Sequence, residues 1–363
     1  MKPAADRWDV AIWGTYPPPF GGMATHIVRL MHYLKAEGLR ARVFNRASDA
    51  QSLPEAVSIR HCQRRWFVKF ALFARDRMLY VFTGRPSVRF LAYILRVLRG
   101  KRYILRIGEE RIFETFARGS RVDKWMTRVA LRHADHVIAV SPHFVPLLES
   151  VGVKPGRIHV IPGFIPPINH EENPPEDVIT FARDHHPVLA ANGQLADINL
   201  PDAYGFDLLV RALELLKDKH PRIGLVLSLY GEANQIVGLE ELRRMIRDKG
   251  LEKHVCLRTE PHSFWPTLKY ADVMIRPTRT EGDSGSIREA MYLGVPVVAS
   301  DATPRPAPTV LFKNGSTDDL LAVTSEVIEN YPKYRAMFAN LPYEDNAKPV
   351  LALIRSCLAP KSR

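Results

Sequence analysis

The chain has 363 residues, a length that suits two domains, each able to bury a core of its own. Its composition, 46% hydrophobic and 25% charged, excludes a disordered chain and a small disulfide scaffold. The net charge of +12 is unevenly spread: residues 1–170 hold 28 Lys and Arg against 12 Asp and Glu, and residues 171–363 hold 23 against 27. A basic first half points to an anionic partner there, and no acidic tail is present.

The elements follow in chain order. Trp8–Gly14 reads as a short buried strand, followed by a loop with Gly21 and Gly22. Ala24–Glu37 reads as a helix, because Ile27, Leu30, Met31 and Leu34 recur at helical spacing, and His26 lies on it. Gly38 ends that helix and Ala41–Asn45 restarts a strand, which opens a parallel α/β sheet. The alternation continues with strands at Met78–Thr83, Tyr103–Ile107, His136–Val140 and His159–Pro162, and helices at Ser87–Leu98 and Val122–His133.

Residues 166–186 are rich in proline and acidic side chains and coincide with the break in charge. They read as a linker between a domain at 1–165 and a second at 187–340. Residues 341–363 form a C-terminal tail or helix that can pack back on the first domain. In the second domain, strands are expected at Val188–Asn192, Gly224–Tyr230, His254–Leu257, Val273–Arg276 and Val295–Ser300. Helices are expected at Phe206–His220, Leu239–Lys249 and Ser286–Leu293. The fold class is therefore α/β, two doubly wound Rossmann-like domains facing a cleft, with ligands beyond the carboxyl ends of the strands.

Cys62, Cys256 and Cys357 have no metal or redox spacing, which suggests a reducing compartment. No apolar run reaches the length of a membrane span or a signal peptide, so a cytoplasmic location is expected, peripheral on the inner face of the membrane. From Cys62 to Arg106, arginines interleave with Trp66, Phe67, Phe70, Phe73, Phe90 and Tyr93. A basic amphipathic segment of this kind suits an anionic membrane surface. A solvated basic face over ordinary core aromatics is the alternative. No nucleic-acid signature accompanies the charge, so no nucleic-acid partner is expected.

Two loops carry candidate chemistry. Gly21 and Gly22 stand between a strand and a helix, where the backbone can approach a phosphate and the helix start offers N–H groups; a plain tight turn is the alternative. In Arg276–Asp301, Glu281 and Glu289 are eight positions apart around a small polar loop, Gly282–Gly285, whose N–H groups can converge on an anion. Ser286 to Glu289 also fits a capping box, so Glu289 serves either the helix start or sugar hydroxyls.

This Glu-x7-Glu segment, followed by GVPVVASD, resembles the retaining glycosyltransferases of family 4, which have the two-domain GT-B fold. PPPFGGMATHIVRL, HVIAVSPHFVPLLESVGV and ADVMIRPT resemble the same family, and the resemblance covers roughly residues 8–330. The fuller string from Arg276 to Arg305 and Pro306 resembles a subgroup associated with bacterial surface polysaccharide assembly. The resemblance implies a nucleotide-sugar donor, a polyprenyl-diphosphate-linked saccharide acceptor and no metal or other cofactor. It implies that Glu281 binds hydroxyls of the transferred sugar and acts in catalysis. Asp283, Ser284 and Gly285 would hold sugar and diphosphate, Ser286 would lie near the α-phosphate and Glu289 would bind the ribose. Gly21 and Gly22 would close on the diphosphate.

The sequence departs from that pattern in three places. Gln194 stands where the family has an Arg, Tyr204 where it has a Lys, and Gly108 near a customary His. Two lost cations at a dry diphosphate site would each cost on the order of several kcal/mol of transition-state stabilisation. Arg276, Arg279, Arg288 and Arg305 are the candidate replacements, with pairing to carboxylates or solvation as the alternative for each. A catalytically weak or inactive scaffold of the same fold, binding a nucleotide sugar or a partner, is the rival reading.

Overall fold

The structure is a computed structural model. It describes residues 8–17, 21–45, 56–58, 75–109, 111–168, 172–194, 203–230, 236–260, 262–281, 283–339, 341–342 and 345–360. Cys62, Trp66, Phe67, Phe70 and Phe73 of the basic aromatic segment lie outside the described residues, as does Gly282.

The chain divides into two compact units, one built mainly from Gly22–Ile168 with Asp345–Arg363, the other from Asn169–Glu344. The first unit runs β1 (Val10–Gly14), α1 (Gly22–Ala36), β2 (Ala41–Asn45), β3 (Ala56–Ser58), β4 (Met78–Phe82), α2 (Pro86–Arg99), β5 (Arg102–Ile107), α3 (Arg111–Arg118), α4 (Arg121–His133), β6 (His136–Ala139), α5 (Val145–Ser150) and β7 (Ile158–Val160). Its seven strands are all parallel, in the order β3-β2-β1-β4-β5-β6-β7. Alternate residues of β1 explain why it reads as one apolar run. Val10 and Ile12 pack under α1, while Ala11 and Trp13 pack with Val88, Ala92 and Leu95 of α2 on the opposite face.

The second unit runs α6 (Glu176–Asp184), β8 (Val188–Gln194), α7 (Phe206–Lys219), β9 (Gly224–Tyr230), α8 (Ile236–Asp248), β10 (Val255–Arg258), β11 (Val273–Arg276), α9 (Gly285–Tyr292), β12 (Val297–Ser300), β13 (Val310–Phe312), α10 (Thr317–Glu329) and α11 (Tyr331–Ala339). Its strands are also parallel, in the order β10-β9-β8-β11-β12-β13. One face of the sheet is covered by α7, α8 and α10, and the other by residues of α9 and Phe338 of α11. A last helix, α12 (Ala347–Leu358), returns to the first unit, where Val350, Leu351 and Ile354 pack with Ile27 and Leu30.

In each sheet the chain reverses its direction of travel once, between β1 and β4 and between β8 and β11. Such a reversal opens a crevice beyond the carboxyl ends of the two strands. The structure differs from the sequence reading in the stretch 166–186. It holds the helix α6, whose Val178 is buried with Val188 and Val226, so this part belongs to the second unit. Proline density marked the break in charge and concealed a nine-residue helix that follows Pro175.

Candidate functional site

The carboxyl ends of β8 and β11 carry the polar residues of the second unit's crevice. β8 is apolar until Asn192 and ends on Gln194, whose side chain is exposed; β11 is apolar until Arg276. Loops after β11 and β12 bring Glu281 and Arg305 to the same point. Arg276 donates through Nε to Glu281 Oε1 at 3.0 Å, and its Nη2 also pairs with that oxygen. Its Nη1 reaches back to the carbonyl and side-chain oxygens of Asn192 at 2.6 and 3.0 Å. Arg305 donates from Nη1 to the other oxygen of Glu281 at 2.5 Å. Its Nη2 donates to Thr278 Oγ1 and Ser300 Oγ, and its Nε to the Ser300 carbonyl.

The result is one buried carboxylate shared by two buried guanidinium groups. Burial by itself would raise the Glu281 carboxyl, but the charges and hydrogen bonds of Arg276 and Arg305 outweigh it and hold the group below its ordinary range. Glu281 is thus ionised at neutral pH, and the three groups together carry one net positive charge.

The other two candidate arginines are balanced pairs. Arg279 makes a two-pronged contact with Asp207 in the first turn of α7, at 2.9 and 3.0 Å. Burial pushes Asp207 up, but Arg279 brings it below its usual value. Arg288 donates to both oxygens of Asp283, at 2.9 and 3.0 Å, just ahead of α9. Among the described residues all four arginines meet carboxylates, and two of them share Glu281.

One departure noted in the sequence, Tyr204, falls at this place. Its ring lies under the guanidinium of Arg276, which is 5.2 Å from the ring centroid, and stacks on Phe206. Gly205 follows with φ +67°, and a Cβ there would fall 2.1 Å from the Pro277 carbonyl oxygen, so the α7 start passes directly over the end of β11. A cation is therefore present beside Tyr204, supplied by the neighbouring strand.

The helix α9 begins at Gly285, with Ser284 as its N-cap. Of the two alternatives for Glu289, a capping box begun by Ser286 does not match this helix start, whose N-cap is Ser284. The helix starts before Ser286, which places Ser286 inside the first turn and moves Glu289 beyond the position from which it could reach back. Ser284 and Ser286 instead share a hydrogen bond between hydroxyls at 3.2 Å. Glu289 and Ser286 are buried on one side of the helix. Gly285 faces open space, with nothing within 4 Å of the position a Cβ would take. Sequence reasoning passed over Asn192, Thr278 and Ser300, which fasten the arginines. Their one signal was a polar residue at or just beyond the end of an otherwise apolar strand.

In the first unit, Gly22 opens α1 after β1 and also faces open space. Gly108 follows β5, where a Cβ would press on Val140 and Phe82. His26 is buried on α1. Its Nδ1 must carry the proton, since it contacts the Gly163 carbonyl at 2.8 Å, so Nε2 accepts from the Tyr80 hydroxyl at 3.1 Å. Arg106 donates to that hydroxyl and to the carbonyls of Ile161 and Pro162. Burial and the nearby Arg106 hold the imidazole well below its ordinary value, so His26 is neutral. No helix among the described residues is long and apolar enough to cross a membrane.

Residues 187–330 match the family model described as Glycosyl transferases group 1, and residues 21–163 that of the Glycosyl transferase 4-like domain. A D-inositol 3-phosphate glycosyltransferase of Jonesia denitrificans is 30% identical over 159 residues, which are 40% of this chain and 36% of that protein. The match thus spans little more than a third of the curated relative's length. Among solved structures, Anabaena HepE in complex with UDP and glucose is similar over 97% of both chains, with a TM-score of 0.68 and 17% identity. The sucrose-phosphate synthase of Thermosynechococcus elongatus is similar over 97% of this chain and 96% of that one, with a TM-score of 0.68 and 16% identity. At such identities the likeness is one of fold. The two family models fall on the two units in turn and together take in most of the chain, which belongs to the glycosyltransferases of GT-B fold.

Proposed function

We propose that this glycosyltransferase takes a sugar from a nucleoside diphosphate sugar and passes it, with the anomeric configuration retained, to a polyprenyl-diphosphate-linked saccharide in surface polysaccharide assembly. The observation that carries the donor half is the pair of guanidinium groups gathered on the one carboxylate of Glu281, at the β8–β11 crevice. A diphosphate is the anion that a site of this charge suits, and the open start of α9 at Gly285 adds N–H groups directed at it. HepE, of like fold, was crystallised with UDP and with UDP-glucose, which favours a uridine nucleotide as the first to test.

In this reading the bond from the sugar C1 to the diphosphate oxygen breaks as the acceptor hydroxyl bonds to C1 from the same face. The acceptor's proton passes to the departing phosphate oxygen. Arg276 and Arg305 meet the charge that develops on the diphosphate, and no metal is required. Glu281 holds both arginines in place and borders the transferred sugar. Gly21 and Gly22, Gln194, Asp283, Ser284, Gly285, Ser286 and Glu289 line the donor. The acceptor is held at the cytoplasmic face of a membrane, which the basic first unit suits.

The test is incubation of the purified protein with a panel of nucleotide sugars and polyprenyl-diphosphate saccharides, with calorimetry for binding and NMR of the product's anomeric centre. Transfer with retention is expected. No transfer and no nucleotide-sugar binding would overturn the reading. Gln194 and Tyr204 favour a second one, in which the chain binds a nucleotide sugar without turning it over. It predicts binding without transfer, and a Glu281→Ala protein that still functions in the cell.

A further inference from the structure

We propose that the outer face of the α2–α4 pair is a docking surface for an anionic lipid bilayer. The inference deepens the lipid-linked-acceptor reading, on which it rests, by naming the surface that would bring the first unit to the membrane. The two helices pack side by side on one face of the first sheet. Of the nine large apolar side chains that are exposed among the described residues, four belong to this pair: Val97 at 63%, Leu98 at 68%, Val122 at 62% and Trp125 at 53%.

They are not scattered. Phe90, Ile94 and Val97 recur at i, i+4 and i+7 and so share one stripe of α2, with Leu98 beside it. Trp125 of α4 closes the stripe at one end, its ring 4.9 Å from that of Phe90. Val122 stands one turn before Trp125. The buried side of α2 is formed by Val88, Ala92 and Leu95, so the stripe is apolar surface left over after the core is complete.

The charge on the two helices is mostly of one sign. Together they hold seven Lys and Arg against one acid, Asp123, which is engaged by the capping Ser120; of the seven, Arg89 is buried and Arg96 is paired with Asp135. Arg99, Arg121 and Arg128 are exposed, and Lys124 half-exposed, within four residues of the apolar side chains. Aliphatic groups ringed by cations, with a Trp at their margin, fit the interface of an anionic bilayer, where apolar atoms enter the acyl boundary and the cations meet headgroups. A nucleic acid would answer the charge but offers nothing to Val97, Leu98 and Val122.

The experiment uses the full chain, sedimented with vesicles of equal parts phosphatidylglycerol and phosphatidylcholine, and with vesicles of phosphatidylcholine alone. Binding to the anionic vesicles is expected, weakening as salt is raised. Leu98→Ser with Trp125→Ser should weaken it at least tenfold, and so should Arg121→Glu with Arg128→Glu. These side chains are exposed, so thermal melting should match that of the parent chain. Equal binding to both vesicles, binding to neither, or variants that bind like the parent would overturn the inference; the last would leave the face to a protein partner. UDP binding is measured on the same preparations. If it persists while vesicle binding is absent, the docking surface fails and the donor reading stands. If vesicle binding persists while UDP binding is absent, the donor reading fails and the docking surface stands.

Discussion

Glu281→Gln tests the electrostatic argument at its centre. The substitution keeps the shape of the side chain and removes its charge, leaving two buried guanidinium groups on one neutral acceptor. Taking away one partner of a buried ion pair costs about 3–5 kcal/mol, because the remaining charge is left uncompensated. Arg305→Met removes one of the two cations instead and leaves Glu281 paired with Arg276, so its cost is that of lost charged hydrogen bonds, about 1.5–3 kcal/mol. The ordering follows from the two-to-one stoichiometry, and the double variant should be less damaged than Glu281→Gln alone, since it restores the net charge. At about 2–4 °C per kcal/mol for a unit of this size, Glu281→Gln should lower the unfolding midpoint by about 6–20 °C. Urea and thermal unfolding of the three variants read this out. Should Arg305→Met prove as costly as Glu281→Gln, or the costs of the pair simply add, the carboxylate is not a hub for two arginines and the reasoning fails.

Other expectations follow from the same geometry. Arg276→Gln should weaken UDP by about tenfold to a hundredfold in calorimetry, the worth of a charged hydrogen bond, with a smaller effect for Arg279, half-buried and balanced by Asp207. Gly285→Ala should raise helix stability by up to about 1 kcal/mol while weakening UDP, because the methyl group enters the open space before α9; a change in UDP affinity of less than twofold would count against an anion there. Chelation by EDTA should leave transfer unchanged, and a lost rate restored by added metal would contradict the proposed role of the arginines. Stability should fall on the acid side. His26 is held below its ordinary value of 6.5 when folded, so its contribution is fully present above that pH and is lost as pH drops toward the folded value. A His26→Gln chain should show a flatter stability profile across that range. Glu281, also depressed, adds a further loss below the ordinary carboxylate range.

The sequence showed its strands and helices where burial imposes a pattern. β1 and β4 are apolar throughout, and β11 up to Arg276, because both faces of each sheet are covered, and α1 repeats at helical spacing because one side meets the sheet. It was silent on α6, hidden in a proline-rich stretch, and on α3, too short to repeat its period more than twice. At the site, Glu281 and the four arginines were legible as residue types. Their partners were not, since Arg276 and Asn192 are 84 positions apart, and Arg305 reaches Glu281 across 24.

By itself, then, the sequence determined the two parallel α/β units, the place of the polar loop after β11 and the basic character of the first half. Local periodicity and composition suffice for those, because each is written in neighbouring residues. Only the tertiary structure decided how charge is shared. It joined two arginines to one carboxylate and balanced the other two. It ended α2 and α4 with an apolar stripe facing outward. Which arginines share a carboxylate, and which apolar face stays uncovered, depends on strand order and helix packing, and those bring together residues that the sequence holds far apart.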